Sequence, residues 1–564
     1  VADDLAASLA REARDRAYDL ASGATATAER ARGHRGLMAM VLAAVVAGHD
    51  DGDPERATLE AAATGWLGEL EALQEPTGLF SSGDNLASPP DSAFTVSDGV
   101  LALTLLRRGS AWAGVRERVD RILRRSLPAL VAGGVHTPNH RWEIAGALAG
   151  LGTLLGAPEA HDRAREWLAE GVDVDADGIY SERSPNYAAH VSNPSLLTLA
   201  VALGRDDLLD VVHANLHAQL DLAAPDGGIE TVHSRRQDQK YESYPLGPFL
   251  DQLARFAAAC ARCREATRRA ASAEHVDAVH AAARALLDGD VRAGLLAAGD
   301  MGAGEPRVAG AGERWFAGSR WFAGSRLLRR RRGEEWVTVY GGSDVPAAGR
   351  VASGLACNPT FLRLGLGGVG VRSARLSRDF FGLGPFRATD VEHVGDRVVL
   401  REEIAASYYQ PLDAARRRPD GAYALEFEGR FAASMAFSAR RRDVVRLETE
   451  VVLDLADDGV TLGITTRGLA APHALELALP WDCEVRGADD LGDGRFRLTR
   501  AAEVVGTGAT LRVEQPIGAD HASPPVYRPG EAYEFLDGTD ALAGPRLYVT
   551  WSSPGTTTVR IRRA

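Results

Sequence analysis

Four polar segments hold side chains able to bind anions or move protons. The first is His136-Thr-Pro-Asn-His-Arg-Trp-Glu143. Thr137 is a favoured helix N-cap and Pro138 suits the first helical position, which predicts Asn139 and His140 in the first turn. Unpaired backbone N–H groups and the helix dipole make such a turn a natural anion site. Asn139 and His140 add side-chain donors, with Arg141 beside them. Glu143 falls three residues after His140, on the same helical face, where it can orient the imidazole and hold it protonated. The plainer reading is a capped helix with a satisfied histidine.

The second segment, Asp173 to Tyr187, is a polar loop holding Tyr180, Glu182, Arg183 and Tyr187, with His190 just beyond. It opens like a calcium loop, D-x-D-x-D-G, but Ser184 stands where a bidentate glutamate is required. A phenol such as Tyr187 can donate a proton, or accept one if a cation such as Arg183 lowers its pKa. The third segment, Pro225 to Lys240, gathers His233, Arg235, Arg236 and Lys240 into the best local positive patch, suited to a carboxylate. A fourth, Asn85 to Phe94, reads as a plain turn or as one wall of a binding site.

These segments need a scaffold. Up to residue 298, apolar residues recur at spacings of three and four, predicting helix after helix, including Arg141–Leu155, Pro194–Leu203, Asp206–Leu222 and Pro248–Ala271. No fixed-length repeat appears, and many antiparallel helix pairs fit an α/α toroid, an incomplete helical barrel. Residues 299–312 form a glycine-rich linker. From 313 to 564 the pattern alternates, with turns at regular spacing, predicting a large antiparallel β-sandwich. Expected strands include Trp336–Tyr340, Thr360–Leu364, Arg397–Ala405, Ala424–Phe431, Met435–Phe437, Val444–Leu453 and Val460–Thr466. The chain is therefore multidomain, α then β. A six-residue duplication, Arg314 to Ser319 then Arg320 to Ser325, marks the start of the β half and reads as a local insertion.

The 564 residues exceed one compact core, and a net charge of −13 argues against nucleic acid as the partner. Lys240 is the sole lysine among 64 basic residues, an arginine bias attributable to genomic base composition. No run approaches the ~20 apolar residues of a membrane span. No signal peptide is visible from Val1 onward, although an upstream segment could have been removed, so localisation and oligomeric state stay open. Of the four cysteines, Cys260 and Cys263 form a C-x-x-C in a helical stretch without a second pair nearby. They read as two helix cysteines, because zinc needs four ligands.

The chain resembles the heparinase II/III-like polysaccharide lyases over nearly its whole length. The most specific pieces are Thr137 to Trp142, Tyr180 to Ser184 leading to Tyr187, and Ser234 to Asp238. The resemblance implies that Asn139 and His140 neutralise a uronate carboxylate, that Glu143 supports them, and that Tyr187 is the catalytic tyrosine. Arg141, Glu182, Arg183, His190, His233, Arg235, Arg236 and Asn358 would line the substrate. These lyases place a histidine from an early sandwich strand over the site; here Asn358 stands in the comparable stretch. His190, His233 or His393 could replace that base. No cofactor is required, and a structural divalent metal in the sandwich has no support from these residues.

The implied reaction is β-elimination from an acidic polysaccharide or oligosaccharide, leaving a 4,5-unsaturated uronate. Heparan, hyaluronan, chondroitin, alginate and rhamnose–glucuronate glycans all remain open. A glycoside hydrolase on the same toroid needs two flanking carboxylates, and Glu143, Asp177, Glu182 and Asp238 are available. The missing sandwich histidine motivates a third reading, a glycan-binding protein without activity.

Overall fold

The structure is a computed structural model describing residues 5–49, 56–299, 318–352, 354–427, 435–520, 522–525, 532–533, 538–539 and 541–564. Its helices in chain order are α1 (Leu5–Ala21), α2 (Ala26–Ala31), α3 (His34–Ala47), α4 (Arg56–Leu73), α5 (Pro89–Leu106), α6 (Ala113–Ala132), α7 (His140–Leu155) and α8 (Pro158–Leu168). They continue as α9 (Pro185–Tyr187), α10 (Asn193–Leu203), α11 (Asp206–Leu222), α12 (Leu250–Ala257), α13 (Ala261–Ala271), α14 (Ala278–Leu287) and α15 (Gly289–Gly299).

Two kinds of helix alternate. Helices α3, α5 and α7 are apolar around most of their circumference, and α3 alone buries Leu37, Met38, Met40, Val41 and Leu42. Between them come amphipathic helices with one buried stripe; α8 buries Ala160, Ala164 and Leu168, at i, i+4 and i+8. An all-round apolar helix must be covered on every side, so the first kind forms an inner layer and the second an outer one. Consecutive helices pack in pairs, α3 on α4, α5 on α6, α7 on α8 and α10 on α11. Helix α14 then returns to pack on α1, α3 and α5, closing the α/α toroid.

Two large sheets follow. One runs, in spatial order, Asp390–Val394, Arg397–Tyr409, Arg442–Ala456, Gly459–Gly468, Gly555–Arg563, Thr510–Ile517, Ala501–Val505 and Glu484–Arg486. The other runs Asp489–Gly492, Arg495–Arg497, Arg546–Ser552, Pro472–Ala478, Gly370–Arg378, Leu362–Gly365, Glu335–Tyr340, Leu327–Arg332 and Gly318–Phe322. Pairing is antiparallel except between Arg495–Arg497 and Arg546–Ser552. One apolar core takes side chains from both sheets, among them Val337, Leu376 and Val549 from one and Leu400, Val451 and Ile561 from the other. This is the α-then-β order and the antiparallel sandwich that the residue pattern predicts.

Three expectations change. The stretch 248–271 is two helices, because the chain leaves α12 and Cys260 takes extended dihedrals as the N-cap of α13. Between Ala424 and Phe437 the described residues show only a bridge between Glu426 and Met435, with 428–434 outside the description. The duplicated hexapeptide puts part of its second copy in the edge strand Gly318–Phe322; 314–317 and the 300–312 part of the linker lie outside the described residues.

Among the described residues, the chain divides into two units. The helical unit takes residues up to Ser234 and from Tyr241 to Gly299, and the sandwich unit takes Arg235–Lys240 and Gly318 onward. The basic patch is thus split: a hexapeptide from the helical stretch of the sequence packs with the strands.

The sandwich buries a charged group that sets a stability prediction. Arg375 and Glu476 are 1% and 2% exposed and form an ion pair, and the Tyr548 hydroxyl donates to Glu476 Oε2 at 2.9 Å. Burial and the Glu476 carboxylate push the Tyr548 phenol well above its ordinary pKa, so it stays a donor. Glu476→Ala leaves a guanidinium in the core and should cost the sandwich about 3–5 kcal/mol, read by denaturant unfolding. Tyr548→Phe should cost only about 1 kcal/mol.

Candidate active site

Helix α7 begins at His140, two residues later than the Thr137 cap predicts, after a tight turn in which His140 N donates to Thr137 O at 3.1 Å. Thr137 Oγ1 lies 2.9 Å from His136 Nδ1, and Asn139 takes the N-cap position with helical dihedrals and makes no side-chain cap bond. The Asn139 side chain is 3% exposed, and neither its Nδ2 nor its Oδ1 has a hydrogen-bond partner among the described residues. A buried amide with both ends unsatisfied costs several kcal/mol and calls for a functional explanation.

The His140 ring stands edge-on to Phe94 at 6.4 Å and to His136 at 5.0 Å. Arg35 caps the Phe94 ring at 4.0 Å and forms an ion pair with Asp91. Asp91 also accepts from Ser88 Oγ at 2.6 Å and Asn85 Nδ2 at 3.1 Å. Burial raises its pKa, but Ser88, Arg35, Asn85 and His140 together outweigh that and hold Asp91 below the usual carboxylate range. The Asn85–Phe94 segment is therefore a wall beside His140, whose charge helps to hold Asp91 ionised.

Glu143 does not support His140. It is 4% exposed and accepts from Ser97 Oγ at 2.9 Å and Ser195 Oγ at 3.3 Å, tying α7 to α5 and α10. A Cβ on Gly146 would fall 3.0 Å from Ser195 Cα, so α7 and α10 need glycine there to approach this closely. Burial drives the Glu143 pKa up to about 7, despite the two serine hydrogen bonds. The raised value gives protonated Glu143 a stabilising contribution, full below its ordinary 4.5 and lost as pH rises through about 7. Glu143→Gln should flatten that dependence, worth about 3 kcal/mol at most, as seen by comparing unfolding free energies of the two proteins across this window.

The loop from Asp173 is tied to the first turn of α7. Trp142 Nε1 donates to Asp173 Oδ1 at 3.0 Å, and Ser181 Oγ donates to Asp173. Arg141 pairs with Glu170 at 2.6 Å and lies 3.6 Å from Asp173, which makes it a brace for this loop. Inside the loop, Asp175 Oδ1 accepts from the backbone of Asp177 and Ile179, around Gly178 at φ +83°. Arg183 itself sits at φ +53°, a strained conformation for an arginine, between Glu182 and the Ser184 that caps Tyr187 N at 3.1 Å.

Tyr187 ends α9, and a single π-helical turn, Ala188–Ser192, joins it to α10 and carries His190. Such bulges recur at functional sites because they swing one residue out of helical register. A buried amide chain holds this one: the Tyr180 hydroxyl donates to Asn193 Oδ1 at 2.7 Å, and Asn193 Nδ2 donates to Gln252 Oε1 at 3.0 Å and Asn215 Oδ1 at 3.2 Å. Gln252 Nε2 then donates to Ala189 O at 2.8 Å, within the bulge.

His190 opens into a cavity of about 1300 Å³ in the helical unit, lined also by Arg32, Asp98, Tyr244, Asp277 and His280. Asn139, His140 and Tyr187 are not among its lining residues. His280 is clamped, Nδ1 2.8 Å from Asp277 Oδ2 and Nε2 2.8 Å from Asp98 Oδ1. Burial opposes its charge, but the two carboxylates win, and His280 titrates well above an ordinary histidine. His190 is exposed into the cavity; desolvation by the surrounding protein outweighs the pull of Asp277, and its pKa falls below the ordinary histidine value.

The starts of four helices thus touch one another: Arg35 of α3 pairs with Asp91 of α5, His140 of α7 faces Phe94 of α5, and Ser195 of α10 meets Glu143 of α7, while His280 of α14 reaches Asp98 in the middle of α5. Converging N-termini add their positive dipole ends, so this end of the toroid favours an anion.

His233 is 1% exposed. In the sandwich unit, Arg235 presents its fork to Asp344 through two 2.8 Å bonds, which neutralises the charge expected to hold a substrate carboxylate. Arg236 belongs to the same unit. Asn358 donates Nδ2 to Gln239 O at 3.0 Å and accepts Thr360 N at 3.0 Å, so its amide fastens the Arg235–Lys240 hexapeptide to the strands. His393 stacks on Trp321 at an edge strand.

The two helix cysteines, by contrast, acquire a second pair. His213 and His217 of α11 join Cys260 and Cys263, with all four ligand atoms within 4.8 Å of one another. His280, Asp98, Arg35 and Tyr244 carry no signal in the segments singled out from the sequence, whereas Asp91 lies within the Asn85–Phe94 segment. Asp277 three residues before His280 is a legible N-cap signal, while the Asp98 contact has no local signal.

No protein-family model matches the chain, and no curated protein sequence matches it significantly. Solved structures do. Heparinase III aligns with a TM-score of 0.54 at 12% identity, covering 94% of this chain and 76% of that one. Heparan sulfate lyase HepC from Pedobacter heparinus aligns with a TM-score of 0.50 at 13% identity, covering 95% and 76%. The chain has the fold of these heparinase-type polysaccharide lyases.

Proposed function

We propose that this fold carries a polysaccharide lyase that cleaves a uronate-containing glycan by β-elimination. The observation that supports it most is Asn139: a buried amide, unsatisfied at both ends, at the N-terminal end of the inner helices where an anion is favoured. The C5 proton of a uronate becomes acidic only when its carboxylate is neutralised, because negative charge builds there as the proton leaves. Donors placed for that charge contribute most to the rate. Asn139 and His140 take this role. The electron pair of the C5–H bond becomes the C4–C5 double bond, the C4–O bond breaks, and Tyr187 gives its proton to the leaving oxygen.

For the base that takes the C5 proton, the candidate is His190. It follows Tyr187 by three residues on the same helical run, faces the cavity, and is held neutral. Heparinase III and the heparan sulfate lyase, by their names, act on acidic glycosaminoglycans, and that substrate class fits the converging dipoles here. Of the carboxylates offered for the hydrolase alternative, Glu143 is buried between two serines and Asp238 is buried in the sandwich unit, which leaves Asp177 and Glu182. An ultraviolet absorbance screen against heparan sulfate, chondroitin sulfate, hyaluronan, alginate and a rhamnose–glucuronate glycan tests the reading. The expected result is an unsaturated-uronate absorbance with at least one of them. New reducing ends without absorbance mean a hydrolase, and binding without products means a glycan-binding protein.

A further inference from the structure

We propose that His213, His217, Cys260 and Cys263 form a structural zinc site that staples α11 to the start of α13. The site lies in the helical unit and plays no part in the elimination chemistry.

The ligand set is chemically complete. His213 and His217 are four residues apart on α11, so both rings leave the same helical face one turn apart. Their ring centroids are 4.3 Å apart, and His213 is braced by stacking on Phe256 at 4.8 Å. On the other side, the chain breaks between α12 and α13 at the point that brings Cys260 to the helix N-cap, leaving Cys263 in the first turn. Cys260 Sγ and Cys263 Sγ lie 3.4 Å and 3.7 Å from His217 Nε2. A tetrahedral zinc with sulfur at ~2.3 Å and nitrogen at ~2.05 Å has S···N edges of about 3.6 Å, so the pocket already has the right size.

Two further features favour a thiolate–imidazole site over four neutral side chains. Cys263 N donates to Cys260 Sγ at 3.4 Å, a bond that stabilises negative charge on that sulfur. His213 Nε2 is shielded from solvent without a hydrogen-bond partner among the described residues, an arrangement a neutral imidazole tolerates poorly unless it binds a metal. Two thiolates cancel the charge of a divalent zinc, so a half-buried site carries no net charge. Both cysteines are free, with Cys263 fully buried. Arg262, between the cysteines, is held by an ion pair to Asp221, one helical turn beyond His217, which fixes the same two elements in register.

Four protein ligands leave no open coordination position, which is the signature of a structural zinc. The chain between His217 and Cys260 carries the segment with His233 and Tyr244, so the metal pins both roots of that excursion from the helical layers. Metal affinity would then contribute to the folding of this unit.

The test uses the full chain, purified without a polyhistidine tag or chelator. Elemental analysis should find about one zinc per chain. Exchange into cobalt(II) should give the intense visible bands of a tetrahedral ion and a near-ultraviolet thiolate-to-cobalt charge-transfer band. Chelation should lower the thermal unfolding midpoint, and zinc should restore it. The C260S/C263S double variant should lose the metal, while C483S keeps it. If the double variant fails to fold, H217Q and the cobalt spectrum of the unaltered protein still decide. Zinc-free protein that takes up no metal, weak octahedral cobalt bands, or a Cys260–Cys263 disulfide seen as a two-hydrogen mass loss would each overturn the proposal.

Discussion

Asn139→Ala should lower kcat on a uronate glycan by about two to three orders of magnitude while leaving the protein as stable as before, or more stable by up to about 1 kcal/mol. The two halves of this expectation have one cause. The Asn139 amide is buried and lacks partners at both ends, so the folded protein carries the cost of desolvating it without a return. Its side chain caps no helix N–H, so alanine forfeits no cap. An amide serving the fold would behave oppositely, with stability falling by about 1–2 kcal/mol and turnover unchanged. Unfolding curves and initial rates on the same preparation separate the two. Asn139→Asp should be worse than alanine for turnover, because it sets a negative charge against the uronate carboxylate.

Tyr187→Phe should reduce kcat by about 10²–10⁴ with little change in KM, the range expected when a positioned proton donor is removed. Only the phenolic oxygen is lost, and the backbone that Ser184 caps is untouched, so circular dichroism should match the parent. The companion variant His190→Ala tests the other half of the proton traffic. A base must be neutral, so kcat/KM should rise with pH through the depressed pKa of His190, below the ordinary histidine value, and this limb should vanish in the variant. If Tyr187→Phe turned over at the parental rate, the leaving oxygen would have another proton source, with the His280 cluster the next to test.

The fold was largely legible. Helix α7 was expected at Arg141–Leu155 and spans His140–Leu155; the strand expected at Val460–Thr466 spans Gly459–Gly468. Strands built from charge were missed, as with Leu327–Arg332, whose four arginines hide its pairing in the sheet. The candidate site can be read from sequence only where neighbours along the chain act together. Asn139 beside His140, and Tyr187 behind a Ser-Pro cap, are local patterns. Glu143 shows the limit: spacing alone put it under His140, but the approach of α5 and α10 gave its oxygens to Ser97 and Ser195.

Of the segments this reading began from, the sequence by itself determined where each helix starts and which polar groups stand there, because capping and periodicity act over a few residues. Only the tertiary structure decided which of those starts meet. His280 lies between Asp277, three residues away, and Asp98, on a helix separated by most of the helical unit. The second ligand pair that Cys260 and Cys263 lacked sits on α11, across a long excursion of the chain. Closure of the toroid is a packing event, driven by burying inner helices that are apolar all round, and no short-range pattern records it.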